Sequence, residues 1–320
     1  MSMHVFGAIL THHGAAANNR AETEGNITTL QKLLWFGRVH SSVSAEAIRF
    51  ALRRRLAEAE PRGTNRTWDE DARVNAWKDD AFLAWSGKGK DADTFIDDDL
   101  LGFMSAEAAK DETGPEASDA RTGSGKKPRA KGTAKVRRAV LEIARAISLT
   151  PFGGDVTFNA ASPGAAPSRK DKNPTPYGTE VHATRYQYGF AMTPERLRVP
   201  GRAATAVEAL CALGEVAGNH GRFLYDFSPE SAVLRVTHDP APRLLYVFEE
   251  DRKTGCIIAP NLIARVESDD LPAAELVIAG AYSQTDEAKR LKELGATIEP
   301  GVRKAARIVC DRIAAGGKRP

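Results

Sequence analysis

From Asn65 to about Lys135 the composition changes, and that interruption most limits what this chain can fold into. It looks like an insertion. Ahead of it, MHVFGAILTHH alternates and is β-favouring, which predicts a strand over residues 3 to 11, followed by the polar loop HGAAANNRAETEGNITT. SAEAIRFALRRRLAEAE then predicts a helix. Ser44 can cap it, Ile48, Leu52 and Leu56 recur every four residues as a core-facing stripe, and Pro61 and Gly63 end it. Behind the interruption lie further strands and helices without the regular βα alternation of a doubly wound fold, so an α+β sandwich fits better.

Within the interruption, WDEDARVNAWKDDAFLAW predicts a helix with Trp77, Ala81 and Trp85 on one face. Residues 105 to 135 are poor in large apolar groups and read as a mobile segment. KVRRAVLEIARAISL restores apolar periodicity and PFGG stops it. Residues 155 to 192 read as a long hairpin: DVTFNA, a tip PGAAPSRKDKNPTPYG too rich in Pro, Gly and charge to pack, then TEVHATRYQYGFAM with alternating aromatics. Beyond it we expect a helix near Ala203 to Ala217 and strands near Arg222 to Phe227, Val233 to Thr237, Leu244 to Glu249, Cys256 to Val266 and Leu276 to Ala281. Two more helices should start at Asp286 and Arg303, with Gly295 placed to end the first of them.

At 320 residues the chain is either two domains or one with large insertions. Its net charge of +3 is too small to diagnose nucleic-acid binding, but distribution matters more than the sum: Lys126 to Arg138 holds seven cations and no acid. Cys211, Cys256 and Cys310 lack metal-type spacing and read as reduced core thiols. No apolar run approaches the roughly 20 residues of a membrane helix, so a cytoplasmic protein without membrane partners is expected.

Several groups of residues could carry chemistry. Arg49 and Arg53, one turn apart just after a Ser-rich turn, suit phosphate, with free N–H groups and Ser44 at the helix start; an ordinary capped helix with solvated arginines would look the same. Asn18, Asn19 and Arg20 lie in the polar loop, where plain turn chemistry accounts for them. Gly218, Asn219, His220, Gly221 and Arg222 could wrap a phosphate or simply separate a helix from a strand. Tyr177, near the hairpin tip, could stack on a base, whereas Tyr186, Tyr188 and Phe190 share one strand face and suit the core. His12 and His13 invite a nuclease reading, but no catalytic partner is identifiable. Asp97, Asp98 and Asp99 lack calcium-loop spacing and read as a solvated surface of the insertion.

Val43 to Arg53 is similar to the V-S-S-Q-S-[IL]-[KR]-R-A-[LM]-R motif of Cascade backbone subunits, with Ala45, Glu46 and Phe50 standing where that family often has Ser, Gln and Arg. NNRAETEGNITTLQKL resembles the DevR-type segment N-A-D-E-G…G-N-x-T-x-L-K, and the likeness continues through EVHATRYQYGFAM, GRFLYDFSPESAVLRVT and LVIAGAYSQTDEAKRLKELGA. The resemblance is to the DevR-type CRISPR-associated backbone family. It implies a palm with an RNA-recognition-motif-like (ferredoxin-like) sheet over residues 1–59 and 189–320, a helical finger insertion over 60–150, and a β-hairpin thumb over 151–188.

By the same resemblance the protein binds CRISPR RNA in several copies along a helical filament, meets target DNA and other Cascade subunits, and needs no cofactor. Pairing would then read the sequence while the protein holds phosphates. The residues it implies are Asn18, Asn19, Arg20, Asn26, Ser44, Arg49, Arg53, Lys170, Tyr177, His220 and Arg222. A related RNA endonuclease would need a loop Asp, and the stretch from Asn18 to Ser44 has Glu22 and Glu24 but no Asp. A DNA-binding autoregulator is a third reading, for which no helix-turn-helix stands out.

Overall fold

Strand β1 (His4–Thr11) is buried along almost its whole length, because the sheet it centres is covered on both faces. Val5 and Ile9 enter one apolar layer, while Phe6, Ala8 and Leu10 enter the other. The computed structural model describes residues 1–17, 23–86, 93–106, 134–163, 174–216, 224–251 and 253–316. On one side of β1 runs β15 (Tyr186–Met192) and on the other β16 (Pro229–Thr237), both antiparallel to it. Beyond β16 lie β19 (Leu276–Gly280) and, parallel to that, β20 (Thr297–Glu299). Beyond β15 lie β11 (Leu141–Ile143) and β12 (Ala146–Ser148), then β6 (Arg38–Val43) and β5 (Lys32–Trp35). The sheet has nine strands. It interleaves residues 4–43 with residues 141–299, so the two flanks of the insertion share one core.

One face is covered by α1 (Ala45–Ala59), α4 (Arg202–Cys211) and α7 (Val302–Ala314), together with Ile96, Leu100 and Leu101 of the insertion. Ile48, Leu52 and Leu56 are fully buried there, as their spacing predicts, each contributing about 1.5–3 kcal/mol by leaving water. Tyr186, Tyr188 and Phe190 join the same layer, so these rings serve the core. Phe190 needs Gly7 opposite it, since a Cβ on Gly7 would meet the ring at 2.2 Å. The other face is covered by α5 (Pro260–Glu267) and α6 (Asp286–Glu293), and Gly295, with φ +108°, follows α6 as expected.

The second sheet grows out of the first. β2 (Gly14–Ala17) follows β1 after the break at His12 and His13, and β14 (Thr175–Thr184) precedes β15 across Arg185. β2 and β14 pair just as β1 and β15 do, so one two-stranded ribbon serves both sheets and changes sheet at these breaks. Arg185 braces the corner through Glu230, at 2.5 Å, and Glu250, at 3.5 Å. The Tyr225 hydroxyl lies 2.7 Å from Thr11 Oγ1, 2.9 Å from the His12 carbonyl and 3.0 Å from the Thr184 carbonyl, which pins both strands at the bend. β13 (Val156–Ala161) pairs antiparallel with β14, as the expected hairpin requires. β3 (Thr23–Glu24) and β4 (Ile27–Thr28) complete this five-stranded sheet. Of the expected tip, residues 175–178 are already part of β14, and residues 164–173 lie outside the described residues.

The insertion corrects the expectation of a helix over residues 68 to 85. Its described part opens with a hairpin, β7 (Arg66–Asp69) and β8 (Val74–Trp77), and a single helical turn α2 (Leu83–Ser86). Asp69 Oδ1 accepts from the N–H groups of Asp71 and Ala72, an Asx turn that competes with helix, and Arg73 sits at φ +53°. Trp77 and Trp85 nevertheless meet in one aromatic cluster with Phe82 and Phe103. α3 (Ile96–Leu101) follows, then β9 (Phe103–Ala106) paired with β10 (Ala134–Arg137). The insertion, expected to be helical, is therefore mixed. β11 and β12 likewise belong to the central sheet.

Four further expectations fail. The strand expected over Cys256 to Val266 is reduced to β18 (Ile257–Ile258), after which Pro260, at a helix start, opens α5. Leu244 to Glu249 is irregular, with Arg243 and Tyr246 at φ +54°, so only β17 (Glu249–Glu250) pairs with β18. The described part of Arg222 to Phe227 forms no strand. Of the cysteines, Cys211 is buried but Cys256 is exposed and is not a core thiol.

Candidate nucleic-acid interface

The β6–α1 junction builds the first part of the site. Ser44 stays extended (φ −67°, ψ 150°) and its hydroxyl accepts from the Ala47 N–H at 3.2 Å, which caps the helix. The helix turns Arg49 and Arg53 toward the insertion. The Arg49 guanidinium donates to the Leu101 carbonyl, and Arg53 Nε donates to Asp97 Oδ2 at 3.1 Å with the side chain only 14% exposed. Burial lowers the pKa of both, opposed by Glu46 at Arg49 and by Asp97 at Arg53. Neither is the freely solvated arginine that a plain amphipathic helix would carry.

Asp97, Asp98 and Asp99 correct the expectation of a solvated acidic surface: all three are buried. Successive residues on α3 point in different directions, so each carboxylate meets its own donors. Asp97 accepts from the backbone N–H groups of Asn65 and Arg66 and from Arg53. Asp98 Oδ2 accepts from Asn65 Nδ2 at 2.9 Å, while its Oδ1 is buried with no partner. Asp99 accepts from the N–H groups of Arg198 and Val199 and from Arg202, whose side chain is 3% exposed and also bonds Glu60. Burial and the neighbouring Asp97 push the Asp98 carboxyl up to about 7. These carboxylates clamp the insertion onto α1 and α4. Sequence reasoning missed Asn65 and Arg202, whose only local signal is a cation in an apolar helix.

The second sheet carries the other candidates. Gly25, at φ +62°, turns the chain between β3 and β4 and exposes Asn26, whose carbonyl accepts from the Gly178 N–H at 2.9 Å. Asn26 is thus brought against the half-buried Tyr177 of β14. Farther along β14, about 17 Å from Tyr177 at strand rise, His182 Nδ1 lies 2.6 Å from Ser41 Oγ of β6, which also bonds the Tyr186 hydroxyl at 2.8 Å. Burial lowers the His182 pKa. This buried tie holds the strand leading into α1 beside the strand that carries the hairpin. Lys32 adds a second tie, to Glu180 at 2.5 Å.

Asn18, Asn19, Arg20, Lys170, His220 and Arg222 lie outside the described residues. His12 and His13 are exposed at the ribbon's bend. Among the described residues no cluster of three or more His, Cys, Asp or Glu side chains could hold a metal ion, and no helix is long and apolar enough to cross a membrane.

This architecture is shared with subunits of CRISPR RNA-guided surveillance complexes. One chain of such a complex matches with a TM-score of 0.54 at 13% identity, over 98% of this chain and 99% of its own. A chain of a second complex, described as pre-nicking, matches with 0.55 at 15% identity, over 98% of this chain and 100% of its own. Those identities define the fold alone; sequence supplies the rest. Residues 11–205 match the family described as CRISPR-associated negative auto-regulator DevR/Csa2. The CRISPR-associated protein Cas7/Cst2/DevR of Myxococcus xanthus (strain DK1622) is 60% identical over 316 residues, 98% of each chain. The chain belongs to the DevR/Csa2 family of CRISPR-associated proteins, as its motifs led us to expect.

Proposed function

We propose that this protein is a non-catalytic backbone subunit of a type I Cascade complex, coating the spacer of a CRISPR RNA in several copies and supporting target DNA recognition. The observation that carries the reading is the Ser41–His182 tie, which sets the start of α1 beside the sheet bearing Asn26 and Tyr177. A guide laid along that side would meet the Arg49 guanidinium, the Asn26 turn and the Tyr177 ring in succession. Asn18, Asn19 and Arg20, between β2 and β3, and Lys170, in the hairpin tip, would extend the track. His220 and Arg222, in the segment after α4, would add polar contacts. Arg53 would contribute only if phosphate displaced Asp97. In this reading the central sheet is the palm and the β13–β14 hairpin is the thumb.

The test is binding of a spacer-length guide RNA as a function of salt. Arg49→Ala should weaken binding similarly for unrelated sequences and reduce the salt slope by about one. An unchanged slope would remove Arg49 from the interface. With Mg²⁺ or Mn²⁺, guide and complementary RNA should both stay intact; cleavage that disappears on changing His12 or Glu24 would favour the endonuclease reading.

A further inference from the structure

Along the later turns of α1, facing the β7–β8 hairpin, lies an open groove of about 290 Å³ that none of the roles above uses. Its size is near the lower end for small-ligand sites, about 300–1,000 Å³. Phe50 and Trp68 line it, edge to face with ring centroids 6.1 Å apart, and both are half-buried. Arg53, Arg54 and Arg66 also line it, against the single carboxylate of Glu70 among its described residues. Arg53 is committed to Asp97, and the Arg66 guanidinium lies over the Trp77 ring, its Cζ 5.5 Å from the centroid. The Arg54 side chain is 65% exposed and comes only within 3.8 Å of Glu215, and Arg66 Nε is buried with no hydrogen-bond partner.

We propose that this groove seats one unpaired base of a single-stranded nucleic acid, stacked on Trp68 or Phe50, with its phosphate held by Arg54 and Arg66. The inference rests on the nucleic-acid-binding reading above and adds to it a base contact apart from the phosphate track. Flat aromatic faces take any base, and an excess of guanidinium over carboxylate takes the phosphate. An acidic peptide would answer the charge but leave the rings unused. Phe50 lies six residues past Ser44, about 9 Å along the helix, so a strand passing the start of α1 can reach it.

The experiment uses the full chain with two photo-reactive probes, a guide RNA carrying 5-iodouridine and a complementary DNA carrying 5-iododeoxyuridine, with crosslinked peptides mapped by mass spectrometry. Crosslinks at Trp68 or Phe50 support the seat, and the probe that gives them identifies whose base it takes. Trp68→Leu, which keeps apolar bulk without a stacking face, should lower affinity about fivefold to a hundredfold at an unchanged salt slope. Trp68→Phe should restore it, and Arg54→Ala should lower the slope by about one. A wild-type chain that binds guide RNA, with no crosslink at either ring and full affinity in Trp68→Leu, overturns the seat and leaves the backbone reading standing. A wild-type chain that binds neither probe overturns both.

Discussion

Asp98 has a folded pKa of about 7 against an ordinary value near 3.9, so between those limits the folded state holds a proton that the unfolded chain has released. The stabilisation this gives is complete below about pH 4 and lost as pH rises through about 7. Asp98→Asn keeps an acceptor for Asn65 Nδ2 without the charge. Its melting temperature should therefore exceed wild type at pH 8 and lose that advantage by pH 5; an offset independent of pH would show that Asp98 is not protonated in the fold. Arg202 works in the opposite sense, as a buried cation with both Glu60 and Asp99. Arg202→Met should cost about 3–5 kcal/mol in urea unfolding, because Asp99 loses a buried partner; a loss under 1 kcal/mol would mean that the clamp is slack. Such pairs are invisible in sequence because their members lie far apart. Asp99 and Arg202 are 103 positions apart, and an Asp triplet looks solvated until its donors are known.

At the scale of elements, α1 was legible because cap, stripe and terminator all lie within one stretch and agree. Ser44→Ala should cost about 1 kcal/mol by thermal or urea unfolding, and no loss would mean that the cap bond is idle. The β7–β8 hairpin was not legible, since the aromatic spacing of Trp77, Ala81 and Trp85 suits a helix while the Asp69 turn that decides the matter is a local hydrogen bond with no periodicity. The start of α5 was misread for a related reason: its Ile and Val residues favour strand, and Pro260 sets the helix start. The β13–β14 hairpin was read from its alternation and turn-rich tip, but its second strand runs over Thr175–Thr184, and Tyr186–Met192, expected to continue it, belongs to the central sheet. Deleting residues 165–173 should leave the melting temperature within a few degrees of wild type, since loop closure costs change slowly with length, while disordering assembly on a guide. A normal assembly seen by electron microscopy would remove the thumb role.

For the whole molecule, the insertion's approximate place was evident from composition, but not how the flanks recombine. That β1 sits between β15 and β16, and that the ribbon serves two sheets, depends on pairings across more than 170 positions that no local pattern records. Of the candidate interface, Ser44, Arg49 and Arg53 were found through a motif confined to one helix. Their engagement with Leu101 and Asp97, and the tie from Ser41 to His182, required the fold. The central claim is that copies of this chain coat a CRISPR guide. The direct measurement is to purify the protein with the products of its neighbouring genes and sequence the RNA that accompanies it. RNAs of uniform length made of a spacer flanked by repeat sequence should be recovered, with several copies of the chain per RNA; a complex that carries no RNA, or only random cellular fragments, would rule out the backbone role.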